Sequence, residues 1–244
     1  MSINLQPFKR PGVVVMDVYE TMLDMADVER RVNHLMDSKR GYIIWFELFM
    51  EYCFVDNCTV QFHDFSSIAR ATMMMAGKKL GTKIGDDQVN EVLDLLHQLP
   101  VHDGVQNGLS HLRDMGYRLA ALTNSPEQTV LDRMEPTGLV SYFEMVLSAE
   151  HVKKYKPCIE VYEWTAKKLN VPIDEMLMVS AHGWDITGAA NAGMRTAYIR
   201  KDREMLYPLA PPPDFICRNL ADLVAQLQQI ESREKEGGMS FLPS

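Results

Sequence analysis

Five short apolar runs, alternating with four helix-like stretches, limit what this chain can fold into more than any other feature. The runs are VVVM (13–16) and those inside YRLAALTN (117–124), FEMVLSA (143–149), EMLMVSA (175–181) and RTAYIR (195–200). VVVM shows no polar alternation, as expected of a strand covered on both faces. Between the runs, VQNGLSHLRDMG, PEQTVLDRMEPTG, CIEVYEWTAKKLN and WDITGAANAGM read as helices. Several end on glycine or asparagine, the residues that best accept the left-handed turn at a helix C-terminus. Strand alternating with helix predicts an α/β fold, a Rossmann-like parallel sheet with helices on both faces. Ligands bind such sheets at the carboxyl ends of the strands, where Asp17, Thr123, Ser148 and Ser180 fall.

Residues 25–98 read differently. DVERRVNHLMDSK, GYIIWFELFMEYCFV, FHDFSSIARATMMMAGKKLG and DDQVNEVLDLLHQL look helical throughout, so the expected organisation is an α/β core of residues 1–24 and 99–232, an all-α insertion of 25–98 and a flexible tail of 233–244. The run Met73, Met74, Met75 is read as core filler in a helix rather than as an adaptable binding surface. A formal net charge of −8 with no long basic run argues against nucleic acid or an anionic membrane surface as a partner. The N-terminal MSINLQPFKRPG lacks the apolar core of a signal peptide, and no stretch is apolar for long enough to span a bilayer, so a cytoplasmic location is expected. Cys53, Cys58, Cys158 and Cys217 have neither zinc-site spacing nor the density of a disulfide scaffold, and are expected as reduced thiols.

Four clusters converge if the sheet is as described: DVYET (17–21), LTNS (122–125), KYKP (154–157) and VSAHGWD (179–185). Each alone has an ordinary explanation. Asp17 could cap a turn, Thr123 and Ser125 could cap a helix, Lys156 could be a solvated lysine and His182 a loop histidine. In this order and together they resemble the haloacid dehalogenase superfamily, and within it the L-2-haloacid dehalogenase (type II) branch. The resemblance spans about residues 12–230 and includes the position of a helical cap inserted after the first strand.

That resemblance implies a covalent mechanism. The aspartate after the first strand, here Asp17, is the superfamily's nucleophile, and a carboxylate fixed at a rigid strand end beside a lysine is suited to that work. Asp17 would attack C2 of a short L-2-haloacid and expel halide, and water would hydrolyse the resulting ester to a D-2-hydroxy acid. Lys156 would balance the Asp17 charge and Asp185 would orient Lys156. Tyr19, Thr21, Thr123, Asn124, Tyr162, Ser180 and Trp184 match the branch's pattern around the substrate, with Trp45 and Phe46 supplied by the cap. Which donor serves the substrate carboxylate, the halide or the water stays open. A homodimer is implied as well, and no cofactor.

Phosphatases of the superfamily carry a second aspartate two residues after the nucleophile and a late acidic pair that helps hold magnesium. Here the first position is Tyr19 and the late motif offers Ser180, His182 and Asp185. Magnesium favours several hard oxygen ligands, and a phosphoryl substrate would lack its acid and its metal clamp, so no metal is expected. The rival readings are a magnesium-dependent phosphatase of a small phosphomonoester and a catalytically silent binding protein on the same fold.

Two positions break the branch's pattern. His182 replaces an asparagine and Glu20 replaces a glycine. Ester hydrolysis needs a base for water, and a histidine held by a carboxylate serves that purpose near neutral pH; Glu20 is therefore expected to polarise His182. In the cap, Glu47 falls near the place of a halide-binding arginine, so the halide would be held by Asn124, by the edges of Tyr42, Trp45 or Phe46, or by another cap residue such as Arg70.

Overall fold

The computed structural model describes residues 9–202 and 204–238. Among these, six strands form one parallel sheet: β1 (Val13–Met16), β2 (Arg118–Thr123), β3 (Met145–Ser148), β4 (Met176–Ser180), β5 (Arg195–Ile199) and β6 (Phe215–Cys217). Their order is β3-β2-β1-β4-β5-β6. The chain winds outward from β1 in one direction and from β4 in the other, which leaves a crevice at the carboxyl ends of these two central strands. Asp17 follows β1 directly, and its N–H donates to the Val179 carbonyl at 2.9 Å.

The two-residue period of a strand sorts the core into two layers. Val13 and Val15 pack with Leu122, Met178 and the inner residues Val161, Tyr162 and Leu169 of α7 (Ile159–Leu169) and Ala189 of α8 (Gly183–Asn191). Val14 and Met16 face the opposite way, toward Leu109 and Leu112 of α5 (Val105–Asp114) and Leu223 and Leu227 of α9 (Leu220–Gly238). All four residues of β1 are buried, as the unbroken apolar run predicts.

The segment between β1 and β2 is helical: α1 (Ala26–Leu35), α2 (Gly41–Thr59), α3 (Phe65–Lys79) and α4 (Asp86–Leu95) precede α5, and α6 (Glu127–Met134) follows β2. Asp64 caps α3 by accepting the Ser67 N–H at 2.9 Å, satisfying one of the donors left free at a helix start. Met73 is fully buried while Met75 is exposed, so the first methionine of the run fills the core. The two connections between insertion and sheet run side by side, with Asp24 N donating to Pro100 O and His102 N to Met22 O. Phe46 and Trp45 of α2 are thereby held over the sheet crevice.

Two elements were not legible beforehand. β6 is only three residues long and follows the proline-rich LAPPPD, and α9 runs to Gly238, into the stretch expected as tail. Residues 239–244 of that stretch lie outside the described residues. No helix among the described residues is long and apolar enough to cross a membrane.

Candidate active site

Lys156 organises the crevice. Its side chain is fully buried, and Nζ donates to Asp17 Oδ1 at 2.9 Å, Asp185 Oδ2 at 2.7 Å and the Leu122 carbonyl at 3.0 Å. An ammonium has three donors, and all three are used. Burial by itself would lower the lysine's pKa, but the Asp17 and Asp185 carboxylates outweigh it and raise it. Burial would likewise raise Asp17, and Lys156 followed by His182 outweighs it, holding the carboxyl below its ordinary range. Asp17 is therefore ionised at neutral pH. Its other oxygen, Oδ2, accepts from Thr21 Oγ1 at 2.7 Å, and Thr21 Oγ1 in turn accepts from Ala181 N at 2.9 Å.

Behind the lysine, Tyr162 Oη donates to Asp185 Oδ1 at 2.7 Å, so the second carboxylate is fixed between a cation and a phenol. α8 comes close enough for this because Gly188 has no side chain: a Cβ there would overlap Pro157 and the Tyr162 hydroxyl. Asn124 is occupied differently from the sequence expectation. Its Oδ1 accepts from Lys156 N at 2.7 Å and its Nδ2 donates to Lys156 O at 3.3 Å, so the amide clasps the lysine's backbone. Thr123 Oγ1 accepts from Ser125 N and Ser180 Oγ from His182 N, both at 3.1 Å.

A cavity of about 260 Å³ opens above Asp17. Of the residues expected at the site, Tyr19, Trp45, Phe46, Thr123, Asn124, Lys156, His182 and Trp184 line it with Asp17, and Phe49, Met50, Phe65, Leu93 and Leu96 make its far wall apolar. Thr21, Tyr162, Ser180 and Asp185 stand behind this lining. Glu47 is exposed and faces an outer groove, and Arg70 pairs with Asn90 at 2.6 Å; neither lines the cavity.

His182 is sandwiched between aromatic rings, Phe46 of α2 at 5.5 Å and Trp184 at 5.0 Å between centroids. Its Nε2 lies 3.7 Å from Asp17 Oδ2, and its Nδ1 lies 3.4 Å from Glu204 Oε1. The second contact is an ion pair without good hydrogen-bond geometry, since Nδ1 has no well-formed partner. Burial favours the neutral ring, but Glu204, Asp17 and Glu20 together outweigh it and raise the pKa to about 9. Glu20 contributes through its field rather than by contact. Its Oε1 accepts from Tyr42 Oη at 2.6 Å, and burial raises its pKa above the usual carboxylate range.

Glu20 also explains the glycine found at this position in the resembling branch. Its φ is +62°, a left-handed conformation that costs a non-glycine residue about 1 kcal/mol or more. Glu204 was missed because it sits in the irregular segment after β5, where no periodicity or motif marks it. That segment presses on the start of α8 at Gly183, where a Cβ would overlap the Met205 carbonyl, and Tyr198 Oη donates to Glu204 O at 2.8 Å. Among the described residues, no group of three or more His, Cys, Asp or Glu side chains is arranged to hold a metal ion.

Residues 35–199 match the family model described as haloacid dehalogenase-like hydrolase. An (S)-2-haloacid dehalogenase of Pseudomonas sp. (strain YL) is 24% identical over 226 residues, covering 92% of this chain and 97% of that one. Two solved structures share the fold. One L-2-haloacid dehalogenase superimposes with a TM-score of 0.84 at 23% identity, covering 90% of this chain and 100% of that one. Another, from Xanthobacter autotrophicus with chloropropionic acid covalently bound, gives 0.80 at 21% identity over 89% and 98% of the two chains. With the family match extending over most of the chain and the sheet, helical insertion and strand-end cluster arranged as above, this protein belongs to the haloacid dehalogenase-like hydrolase family.

Proposed function

We propose that the protein is a hydrolytic (S)-2-haloacid dehalogenase that converts short L-2-haloalkanoic acids to D-2-hydroxy acids through an ester on Asp17. The observation that carries the reading is a buried carboxylate, ionised by Lys156 and fixed by Thr21, at the floor of a small, mostly apolar cavity. Covalent attachment of chloropropionic acid in the Xanthobacter enzyme supports such a step. In the first half-reaction an Asp17 oxygen forms a bond to C2 as the carbon–halogen bond breaks, and halide leaves with the electron pair. No proton donor is required, consistent with Tyr19 at the position of a phosphatase's acid.

In the second half-reaction water attacks Cγ of the Asp17 ester, the acyl C–O bond breaks, and the alkoxide is protonated to the hydroxy acid. His182 Nε2 stands beside the attacked group and takes the water's proton. Esterification removes the Asp17 charge, one of the causes that raise the His182 pKa, so the ring holds its proton less tightly in the intermediate than in the free enzyme. The aromatic insertion acts as a cap that excludes bulk water during displacement. Assembly as a homodimer belongs to the same reading.

Halide release from L- and D-2-chloro, bromo and iodo acids of increasing length, with and without EDTA, tests this. Release from the short L-acids, unaffected by EDTA, is expected, and His182→Asn is expected to accumulate an Asp17 adduct visible by mass spectrometry. No release from any member of the panel would refute the activity, and His182→Asn turning over at the wild-type rate would refute the base.

A further inference from the structure

The cavity contains a cation whose charge the residues around it leave unanswered. Arg133, on α6, is 8% exposed and lines the same cavity as Asp17. Its Nη1 donates to the Tyr19 hydroxyl, its guanidinium carbon lies 5.4 Å from the Tyr19 ring centroid, and its Nε is buried without any partner. No carboxylate among the described residues pairs with it. A buried guanidinium loses most of its hydration, and that loss is ordinarily offset by an anion with hydrogen bonds to the fork. A tyrosine hydroxyl and a ring face offset only part of it.

We propose that Arg133, presented from the core helix α6 and oriented by Tyr19, is the anion-binding group of this cavity and holds a small monovalent anion, either the leaving halide or the substrate carboxylate. The inference rests on the dehalogenase reading for the identity of those anions, but not for the site itself. It supplies a positive charge that neither Glu47 nor Arg70 brings to the cavity. It also gives Tyr19 a second purpose, since the hydroxyl that accepts from Arg133 fixes one arm of the fork and leaves the remaining N–H groups for the ligand.

Anion binding can be read without turnover. Saturable broadening of the 35Cl resonance by the wild-type protein reports halide, and saturation-transfer signals from propionate report carboxylate. Arg133→Met is expected to weaken one or both by about tenfold or more, the usual scale for losing a charge-assisted hydrogen bond, whereas Arg133→Lys keeps more of the binding than Arg133→Met. Loss of chloride alone assigns the halide, and loss of propionate alone assigns the carboxylate. Because Arg133→Met removes an uncompensated buried charge, its melting temperature is expected to equal or exceed that of the wild type, which a purely structural arginine would not allow. Undiminished binding of both anions in Arg133→Met, no binding by the wild type, or a loss of binding matched by a lower melting temperature would overturn the proposal. Failure of the halide-release panel with anion binding lost in Arg133→Met would refute the dehalogenase reading and keep the site.

Discussion

Glu20 and His182 state the site's energetics at the scale of single residues. A glutamate held at φ +62° pays for its position in backbone energy, and its carboxylate is kept for Tyr42 and for the field at His182. Glu20→Gly and Glu20→Ala both remove that carboxylate, so they are expected to lose activity alike. In urea unfolding Glu20→Gly should be the more stable of the two by about 1 kcal/mol, because only glycine adopts this conformation freely. Equal stability would contradict the strain. His182 sets a pH dependence of known sign. Its folded pKa, raised from 6.5 to about 9, means the folded state binds the proton more tightly, so this stabilisation is complete below 6.5 and disappears as pH rises through about 9. Wild-type stability should therefore fall across that window relative to His182→Asn, with parallel pH profiles counting against the ion pairs described.

At the scale of elements, the close approach of the 204–206 segment to the start of α8 decides which carboxylate meets His182. Gly183→Ala must push the Met205 carbonyl away and draw Glu204 from the imidazole. The His182 pKa is then expected to drop below about 9, read as a shifted imidazole titration by NMR, and an unchanged titration would mean Glu204 contributes nothing. This is also where sequence reading reached its limit. VVVM identified β1 because both faces of that strand are buried and nothing polar interrupts it, and parallel strands delivering their ends to one crevice brought the clusters of Asp17, Lys156 and Asp185 together, while the roles expected of these residues came from the resemblance to the dehalogenase branch. Phe215–Cys217 gave no such signal: it is an edge strand of three residues, with Ile216 45% exposed, and its pairing with β5 is decided by tertiary context. Asn124 was identified in place but not in use, since only the fold reveals that its amide clasps the Lys156 backbone. Glu204 and Arg133 were invisible for a related reason, each being an isolated charge whose neighbours come from distant parts of the chain.

For the whole molecule, the winding of the chain concentrates function at one point. Strand order places β1 beside β4, the insertion after β1 brings Phe46 onto His182, and α6 after β2 turns Arg133 toward the same cavity. The α/β core thus fixes Asp17 and its Lys156 counter-charge, while the helical insertion supplies aromatic walls. In the proposed reaction water attacks the Asp17 carbonyl of a covalent ester rather than C2 of the substrate. A single turnover with enzyme in excess over L-2-chloropropionate in H₂¹⁸O distinguishes the two routes. ¹⁸O is expected in the Asp17 carboxylate, located by peptide mass spectrometry, with unlabelled lactate released; ¹⁸O found in the lactate with none in Asp17 would rule out the ester route.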